Sequence, residues 1–424
     1  MRLYKKVRLN NGLDVVVHNM AGMRSAALGV WIKVGSRYEE PFNNGVAHFL
    51  EHLCFKGTEN YSYRQIKESI EGVGGSLNGF TSEEVTCYLS KLPALHLDLA
   101  VDILSDMVIN PLLRQVDIEK ERTVILEEIK MYKDLPQSYV HQLLDELLWP
   151  GHPLGMNITG SIESIGSMTR REIHTFKERY YLSSNIVVSA VGAINCNRFI
   201  KRIDNTFKQT RSKDVNTFLP AKEKQDAPQL KMMHKDTEQT HLALGFHSFS
   251  RNHPLRHALG LLHVMLGANM SSRLFNEVRE KRGLAYDIGT QLKRFQDTGA
   301  FVVHAGIDNT KLNKAIRLIL KQLNIVKTEL VGIAEFKRAK EFYLGQLMLA
   351  LEDTLEHMLW IGESLATQQK IHHLEEIIEE VNRFTRQDIR AVARQIFKEE
   401  GINLALIGPI KDSQESILRI LRID

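Results

Sequence analysis

The chain has 424 residues, of which 43% are hydrophobic and 25% are charged, and its formal net charge is +4. This composition is typical of a globular protein, and the length exceeds that of one compact core, which predicts roughly two to four domains. Basic residues are scattered rather than clustered, which argues against a nucleic-acid partner. There is also no apolar run long enough to span a membrane.

The first predicted elements are two short strands joined by a turn at Asn10-Asn11-Gly12. The basic N-terminus lacks the apolar stretch and cleavage site of a signal peptide, so we expect the chain to start at or near Met1 and to stay in the cytoplasm. The cysteines are odd in number and widely spaced, which predicts reduced, buried thiols. They are Cys54, Cys87 and Cys196.

Residues 43–57, NNGVAHFLEHLCFKG, contain two histidines four residues apart with a glutamate beside the second. Asn43 or Asn44 can cap a helix and Gly57 can end it, which predicts a helix over residues 44–56. The question that this segment raises is whether the helix is part of a metal site or an ordinary buried helix with polar residues.

The predicted helix places His48 and His52 on one face, one turn apart, so that both imidazoles can reach the same ion. Glu51 borders that face and can take a proton from a water molecule without binding the metal itself. Taken alone, the spacing is only moderately specific, because most histidine pairs at this spacing serve packing or surface chemistry. A metal site here requires a third ligand elsewhere in the chain.

The best source of a third ligand is the segment DIEKERTVILEEIKMY, residues 117–132, which has the period of a helix. Five of its residues share one predicted inward face, and the two carboxylates among them are costly to bury without a cation or hydrogen-bond donors. These five are Glu121, Val124, Ile125, Glu128 and Tyr132. We therefore predict that Glu128 is the third ligand and that Glu121 orients a ligand histidine. Ordinary surface charge remains the alternative for both acids.

The sequence also repeats itself once. MTRREI is followed by an apolar run at 185–194, and FTRQDI is followed by another at 402–410. Thr169 and Thr385 give an offset of 385 − 169 = 216 residues, which indicates a duplicated domain rather than a short-period solenoid. Each copy predicts a capped helix and then a strand that ends at glycine.

The duplication predicts an α+β protein in which each half contains an antiparallel or mixed sheet backed by helices. The charged stretch between the copies has two prolines and little periodicity, which is typical of a linker. We accordingly divide the chain into a metal-binding half at 1–210, a linker at 211–228 and a second half without the metal motif at 229–424.

The pattern His48-x-x-Glu51-His52 is the inverted zinc motif of the inverzincins. Together with the helix ERTVILEE, it makes the chain resemble the insulinase/pitrilysin family of metallopeptidases over essentially its whole length. Within that family the chain is most similar to bacterial proteins akin to the β-subunit of the mitochondrial processing peptidase. The resemblance implies one Zn²⁺ per chain, bound by both histidines and Glu128, with Glu121 as the accessory acid. It also implies two homologous α/β sandwich halves that face each other as a clam shell.

The segment GGSLNGFTSEEVTCY, residues 74–88, is similar to the family's edge strand, which pairs with an extended peptide substrate. The resemblance gives the substrate-binding role to Gly75, Asn78, Gly79, Phe80 and Thr81. Gly79 departs from the usual alanine, although a small residue is kept at that place. The segment HPLGMNITG, residues 152–160, resembles another part of the family, to which we assign no chemical role.

The segment SSRLFNEVREKRGLAYDI, residues 271–288, resembles the region through which the second half contributes an arginine and a tyrosine to the active site. These correspond to Arg279 and Tyr286. Without the resemblance they would be a surface arginine in a charged helix and a packed aromatic residue at the start of a strand. The helix LRHALGLLHVMLG has lost the metal motif, because His257 and His263 are six residues apart and cannot face one ion.

The resemblance implies a zinc-dependent endopeptidase, similar to the processing peptidases, that hydrolyses short or unfolded peptides. Glu51 is then the general base, and Tyr286 with Arg279 stabilises the oxyanion or grips the substrate carbonyl. The resemblance further implies a homodimer, or a heterodimer with an inactive relative. Manganese or cobalt remains an alternative to zinc, and a non-catalytic partner protein remains an alternative to an enzyme. A serine hydrolase is excluded, because the chain has no G-x-S-x-G stretch.

Overall fold

A computed structural model describes residues 4–208, 210, 212–213 and 217–423, so the predicted linker lies only partly within the described residues. The described strands are β1 (Lys5–Arg8), β2 (Asp14–Asn19), β3 (Ser25–Ile32), β4 (Ser76–Thr81), β5 (Thr86–Pro93), β6 (Ile186–Gly192), β7 (Gln229–His234), β8 (Gln239–Ser248), β9 (Ala285–Arg294), β10 (Gly299–Asp308) and β11 (Asn403–Gly408). Among the described residues, no helix is both long and apolar enough to cross a membrane.

The described α-helices are α1 (Val46–Cys54), α2 (Tyr63–Glu71), α3 (Leu97–Ile109), α4 (Gln115–Asp134), α5 (Pro136–Leu148), α6 (Ile162–Ser167), α7 (Arg170–Tyr180), α8 (Cys196–Thr206), α9 (Arg256–Leu266), α10 (Leu312–Thr328), α11 (Ile333–Glu352), α12 (Thr354–Gln368), α13 (Leu374–Arg383), α14 (Arg386–Ile396) and α15 (Gln414–Leu418). A π-helix occupies Phe275–Glu280. The lengths and order of these elements agree with the predicted α+β class.

The chain forms two compact units, and neither unit is one continuous stretch. The first consists of Met1–Lys130, Met156–Leu219 and Met348–His373. The second consists of Met131–Gly155, Pro220–Leu347 and Leu374–Asp424. Each unit therefore contains one helix from the other half of the sequence, because α12 belongs to the first unit and α5 to the second.

The first unit contains a six-stranded mixed sheet with the order β1-β2-β6-β3-β5-β4. Strands β1 and β2 pair antiparallel, which confirms the hairpin predicted at Asn10-Asn11-Gly12. Strands β2 and β6 pair parallel, whereas the other neighbours in this sheet pair antiparallel. Strand β4, which contains most of the predicted substrate-binding residues, lies at the edge of the sheet.

The second unit contains a five-stranded sheet with the order β7-β11-β8-β10-β9. This order repeats the arrangement β2-β6-β3-β5-β4 strand for strand, including one parallel pair, β7 with β11, at the same place. The helices that precede β6 and β11 begin with equivalent capping boxes, in which Thr169 pairs with Glu172 and Thr385 pairs with Asp388. The duplication and the mixed sheets predicted from the sequence are thus confirmed.

Both faces of the first sheet are covered by apolar helix faces. On one face α12 places Met358, Ile361 and Leu365 in the same buried cluster as Trp31 of β3. On the other face α1 contributes its apolar residues, among them Phe49, to the largest buried cluster of the unit. Because close packing of this kind leaves a helix little freedom, the polar side chains of α1 have fixed positions.

Candidate metal centre

Helix α1 is two residues shorter at each end than predicted, and neither predicted asparagine caps it. Instead, the buried carboxylate of Glu39 accepts hydrogen bonds from the backbone N–H groups of Gly45 and Ala47, at 2.7 and 2.8 Å. Asn44 donates its side-chain amide to the same carboxylate. A carboxylate is the stronger acceptor at a helix N-terminus, so Glu39 takes the role that the sequence had suggested for an asparagine.

His48 and His52 lie on one face of α1, with their ring centroids 4.6 Å apart. Their Nε2 atoms lie 3.9 and 3.8 Å from Oε2 of Glu128 on α4. One ligand atom from each of the three residues lies within 4.8 Å of the others, and the group can hold a metal ion. The structure therefore brings together the three residues that the sequence predicted as ligands.

The donor set of this group fits zinc. Two imidazole nitrogens and one carboxylate oxygen are ligands that zinc prefers, and three protein ligands leave a fourth position open. Tetrahedral zinc at about 2 Å from each donor separates the donors by roughly 3.3 Å, so the observed separations need only a small contraction. Burial, with the nearby His52, lowers the pKa of His48 to about 3, which keeps this ring in the neutral form that a metal requires.

The face of α4 that turns inward differs from the predicted one. Val124 and Tyr132 were expected to be inward, but they are 50% and 38% exposed. The buried residues of α4 are Ile118, Glu121, Ile125 and Ile129. The face is rotated because the isoleucines, which are seven and four residues apart, form the apolar contact, and Glu128 is left half-buried at the margin of that contact, where it meets the histidines.

Glu121 contacts both the predicted ligand His52 and the cation of Lys56. Its Oε2 atom lies 3.2 Å from Nδ1 of His52, and its Oε1 atom lies 2.6 Å from Nζ of Lys56. Burial acts to raise the pKa of Glu121, but the hydrogen bonds from His52 and Lys56 outweigh it, and the pKa is lowered. An ionised Glu121 holds a proton on Nδ1 of His52, and this leaves the Nε2 lone pair directed towards the metal group.

Glu51 is buried beside the three-residue group, between α1 and the edge strand β4. The hydroxyl of Thr81 donates a 2.7 Å hydrogen bond to Oε2 of Glu51. Burial raises the pKa of Glu51, Glu128 acts in the same direction, and Thr81 and His52 oppose the rise. A Cβ atom at Gly79 would lie 3.2 Å from Oε1 of Glu51, so the glycine leaves this oxygen uncovered.

The predicted substrate-binding residues occupy β4 and the turn before it. Gly75 precedes the strand and donates its N–H to the carbonyl of Ile70. Asn78 accepts from the N–H of Gly79 with its own side chain, and the ring of Phe80 packs edge-on against Trp31 at 5.7 Å. Gly79 and Thr81 approach Glu51 as described above, so the edge strand runs directly past this carboxylate.

Arg279 and Tyr286 contact each other within the second unit. The guanidinium of Arg279 lies 4.6 Å from the ring centre of Phe275 and 5.3 Å from that of Tyr286, which is the geometry of cation–π contacts. Tyr286 is 74% exposed, so it is not the packed aromatic residue that a reading without the resemblance suggests. Arg279 belongs to the π-helix, a form that is frequent at functional sites.

The histidines of α9 have separate partners, as the loss of the motif predicts. Nδ1 of His257 lies 2.9 Å from the hydroxyl of Tyr343. Nδ1 of His263 lies 2.7 Å from the hydroxyl of Thr290. Among the described residues, the only cluster of three or more potential ligands that can hold a metal ion is the one formed by His48, His52 and Glu128.

Comparison with known proteins identifies the family of the chain. A family profile described as "Insulinase (Peptidase family M16)" matches residues 14–161, and one described as "Peptidase M16 inactive domain" matches residues 167–343. The chain belongs to the insulinase family, peptidase family M16. The metal group thus lies in the part that matches the insulinase profile, and Arg279 and Tyr286 lie in the part that matches the inactive domain.

Several M16 relatives and solved structures are similar over almost the full chain. A Bacillus subtilis protein named "Uncharacterized zinc protease YmxG" is 37% identical over 96% of this chain and 98% of its own length. An uncharacterized zinc protease from Rickettsia felis is 33% identical over 95% of this chain and 97% of its own length. These matches confirm the resemblance to the insulinase family.

Two crystal structures have the same fold. A protease from Helicobacter pylori superimposes with a TM-score of 0.89 and 25% identity, covering 96% of this chain and 99% of that protein. A Pseudomonas fluorescens structure described as a peptidase M16 inactive domain gives the same TM-score at 16% identity, covering 97% of this chain and 99% of that one. The predicted class of two homologous α/β domains is therefore confirmed.

In this M16 chain, sequence reasoning missed Glu39 and the carboxylate–lysine contact at Glu121. Burial raises the pKa of Glu39 to about 7, although the hydrogen bonds from Ala47, Gly45 and Asn44 oppose the rise. An acid shortly before a predicted helix start is a weak signal for a cap, and two neighbouring glutamates, 39 and 40, fitted it equally well. Lys56 is four residues after His52, and this helical spacing is a signal that both side chains can reach one acid.

Proposed function

We propose that the protein is a zinc-dependent endopeptidase that hydrolyses short or unfolded peptides, in the manner of the processing peptidases. The observation that carries the proposal is the convergence of His48, His52 and Glu128 beside the buried carboxylate of Glu51. Its relatives in the M16 family are named as zinc proteases, and this supports peptidase activity and zinc as the metal.

In this proposal His48, His52 and Glu128 hold one zinc ion, and Glu121 fixes the orientation of His52. A zinc ion bound there supplies a Lewis acid that polarises the peptide carbonyl and lowers the pKa of water. The chain's own contribution is the neutral His48 ring, which burial favours, and the ionised Glu121, which keeps the proton of His52 on Nδ1.

Glu51 acts as the proton carrier. Its Oε2 atom is engaged by Thr81, so Oε1 is the atom that accepts the proton of the attacking water and later delivers it to the nitrogen of the leaving amine. The raised pKa of Glu51 suits this double role, because a group whose pKa lies closer to neutrality both takes and returns a proton readily.

The peptide substrate pairs with β4 as an added strand. Main-chain hydrogen bonds to an edge strand give affinity with weak sequence demands, and the edge position of β4 suits this mode. The proposed contacts come from Gly75, Asn78, Gly79, Phe80 and Thr81. Since the strand passes Glu51 at Gly79 and Thr81, a peptide along this edge has its backbone close to the proton carrier.

Arg279 and Tyr286 complete the proposed set of functional residues, as the family resemblance implies. Their role is to hold the substrate carbonyl or stabilise its negative charge. The exposure of the Tyr286 ring and the stacking of Arg279 on it support the pair as a unit available to a ligand. Tyr286→Phe should lower kcat while leaving the zinc content unchanged.

Cleavage of an unstructured peptide tests the enzyme. The experiment compares the wild type with Glu51→Gln and His52→Ala, with zinc content measured for each and cleavage sites mapped by mass spectrometry. We expect an active wild type, an inactive Glu51→Gln that keeps zinc, and an inactive His52→Ala that loses it. Equal inactivity of the wild type and Glu51→Gln would favour a non-catalytic partner protein instead.

Two finer expectations belong to the same proposal. The protein forms a homodimer, or a heterodimer with an inactive relative, and it works in the cytoplasm without a membrane or nucleic-acid partner. Both rest on the resemblance and on the sequence composition. Sedimentation of the purified chain, alone and with a candidate inactive relative, tests the first, and cell fractionation tests the second.

A further inference from the structure

Residues 157–168, which we call the bridging segment, have no part in the proposed chemistry, yet they contact the start of α1. Within the first unit, the side-chain amide of Asn44 donates to the carbonyl of Asn157 at 3.0 Å. The hydroxyl of Ser164 donates to the carbonyl of Asn44 at 2.7 Å. Asn44 and Ser164 are both buried, so these hydrogen bonds are shielded from water and fix the turn that leads into the helix.

Two glycines bring the bridging segment and this turn into backbone contact. Gly45 and Gly160 have φ angles of 91° and 86°, a region that side chains rarely allow. A Cβ atom at Gly160 would lie 2.6 Å from the carbonyl oxygen of Asn44, and one at Gly45 would lie 2.8 Å from the Cα atom of Gly160. Any side chain at either place must therefore push the start of α1 and the bridging segment apart.

The same segment also holds α4, which carries Glu128. The guanidinium of Arg122 donates from Nη1 to the carbonyl of Ile165 and from Nη2 to the carbonyl of Met168, the latter at 2.8 Å. The Arg122 guanidinium further lies 5.8 Å from the ring centre of Phe49 on α1. The bridging segment is thus hydrogen-bonded to the turn that leads into the helix with the two histidines and to the helix with the glutamate.

We propose that the bridging segment sets the distance between the histidines of α1 and Glu128 of α4, and that Gly160, Ser164 and Arg122 are positioning residues for metal binding. The inference rests on the metal-binding part of the proposed function. His48 follows Gly45 by less than one helical turn, so a shift at the start of α1 is carried directly to both imidazoles. The hydrogen bonds described above join the bridging segment to the turn before α1 and to Arg122 of α4, so its effect is on geometry.

The test measures zinc affinity of the full-length chain, by competition with a chromophoric chelator after removal of metal. Gly160→Ala is expected to weaken zinc binding about tenfold or more, the size found when groups that orient ligands are lost. Gly151→Ala is the matched control, because Gly151 has a φ of 67° and an added Cβ there meets no atom within 4 Å. This control also places a side chain at a positive φ but meets no neighbouring atom, and its zinc affinity should stay within twofold of the wild type.

A second pair of variants avoids backbone strain. Ser164→Ala removes the bond to Asn44 together with the capping-box bonds to Ser161, whereas Ser167→Ala removes bonds to the carbonyls of Glu163 and Ser164 within the same helix, α6. We expect weaker zinc binding for Ser164→Ala only, together with an altered visible absorption spectrum of the cobalt-substituted protein. Circular dichroism should match the wild type for both variants.

The outcomes separate this inference from the proposed function. A wild type that does not bind zinc overturns both. A wild type that binds zinc, with Gly160→Ala and Ser164→Ala folded and within twofold of it, overturns the positioning role alone. If Gly160→Ala does not fold, the comparison of Ser164→Ala with Ser167→Ala decides the matter by itself.

Discussion

The hydroxyl of Thr81 donates a 2.7 Å hydrogen bond to Oε2 of Glu51. This contact joins the edge strand β4 to the helix with the two histidines, and it engages Oε2 of Glu51, whereas Oε1 lies beside Gly79. Thr81 was predicted as a substrate-binding residue. The hydrogen bond adds a second role, because it holds the Glu51 carboxylate in one orientation beside the metal group.

The first prediction concerns this hydrogen bond. Thr81→Val keeps the shape of the side chain but removes the donor, so Glu51 loses its orientation and kcat for peptide cleavage should fall about tenfold, equivalent to about 1.4 kcal/mol. KM should change little, since the backbone of β4 remains. Thr81→Ser keeps the donor and should restore most of the rate. Steady-state kinetics on one unstructured peptide measures all three, and equal rates for Val and Ser variants would contradict the role.

The second prediction concerns Glu121 and metal affinity. Glu121→Gln removes the charge that holds the proton of His52 on Nδ1, and it leaves Lys56 without its partner. Zinc affinity should fall about 10- to 100-fold. Glu127→Gln on the same helix is the control, because Glu127 is 66% exposed and pairs with Lys130. Comparable losses for both variants would mean that overall charge, rather than the contact with His52, sets the affinity.

Local patterns predicted the elements that carry the site, because they depend on neighbours in sequence. The helical spacing of His48 and His52 put both on one face of α1, and the capping boxes of Thr169 and Thr385 marked where two helices begin. Local patterns alone do not determine that α4 lies against α1. The helical pattern predicts Glu128 as the third ligand with surface charge as an alternative, and the family resemblance implies the same assignment.

The features that could not be predicted from local sequence patterns depend on contacts between distant segments. Which face of α4 is buried was decided by the helices packed against it, so Val124 and Tyr132 were placed wrongly although their spacing was right. The cap of α1 comes from Glu39 through a tertiary approach that no spacing rule encodes. The exchange of α5 and α12 between the units has the same origin, because an amphipathic helix does not specify which sheet it covers.

The third prediction concerns the buried pair of Arg37 and Glu84. Nη1 of Arg37 lies 2.7 Å from Oε1 of Glu84, and the two side chains are 0% and 3% exposed. The guanidinium also lies 3.8 Å from the ring centre of Phe218. Arg37→Met removes the Arg37 guanidinium from beside the buried Glu84 carboxylate and should lower the free energy of unfolding by about 3–5 kcal/mol, measured by urea denaturation.

Two further variants test that explanation of the Arg37 effect. Arg37→Met combined with Glu84→Met removes both charges and should recover much of the loss, because no uncompensated charge remains. Arg64→Ala removes a partner from the exposed pair of Arg64 and Glu68 and should have no measurable effect. If the double variant were no more stable than Arg37→Met alone, the loss would come from packing rather than from charge.

The fourth prediction concerns pH and the histidine of α12. His357 is buried, its Nδ1 atom lies 2.8 Å from the carbonyl of Leu351, and its Nε2 atom lies 3.0 Å from the hydroxyl of Tyr4. The carbonyl accepts a hydrogen bond from Nδ1 and the hydroxyl can donate one to Nε2, so these contacts suit a neutral imidazole ring. Burial lowers the pKa of His357 to about 4, with the nearby His18 acting in the same direction and the bond to Leu351 opposing it.

The sign of the effect follows from which state binds the proton. In unfolded chains the pKa of histidine is about 6.5, so between about pH 6.5 and 4 the unfolded state binds a proton at His357 that the folded state does not. The free energy of unfolding should therefore fall as the pH is lowered through this window, with His357 contributing up to about 3 kcal/mol. His357→Gln cannot take up this proton, so its stability should fall less steeply from pH 7 to pH 4.5 in urea denaturation. A variant and wild type with parallel stability curves over that range would show that His357 does not stay neutral in the folded protein.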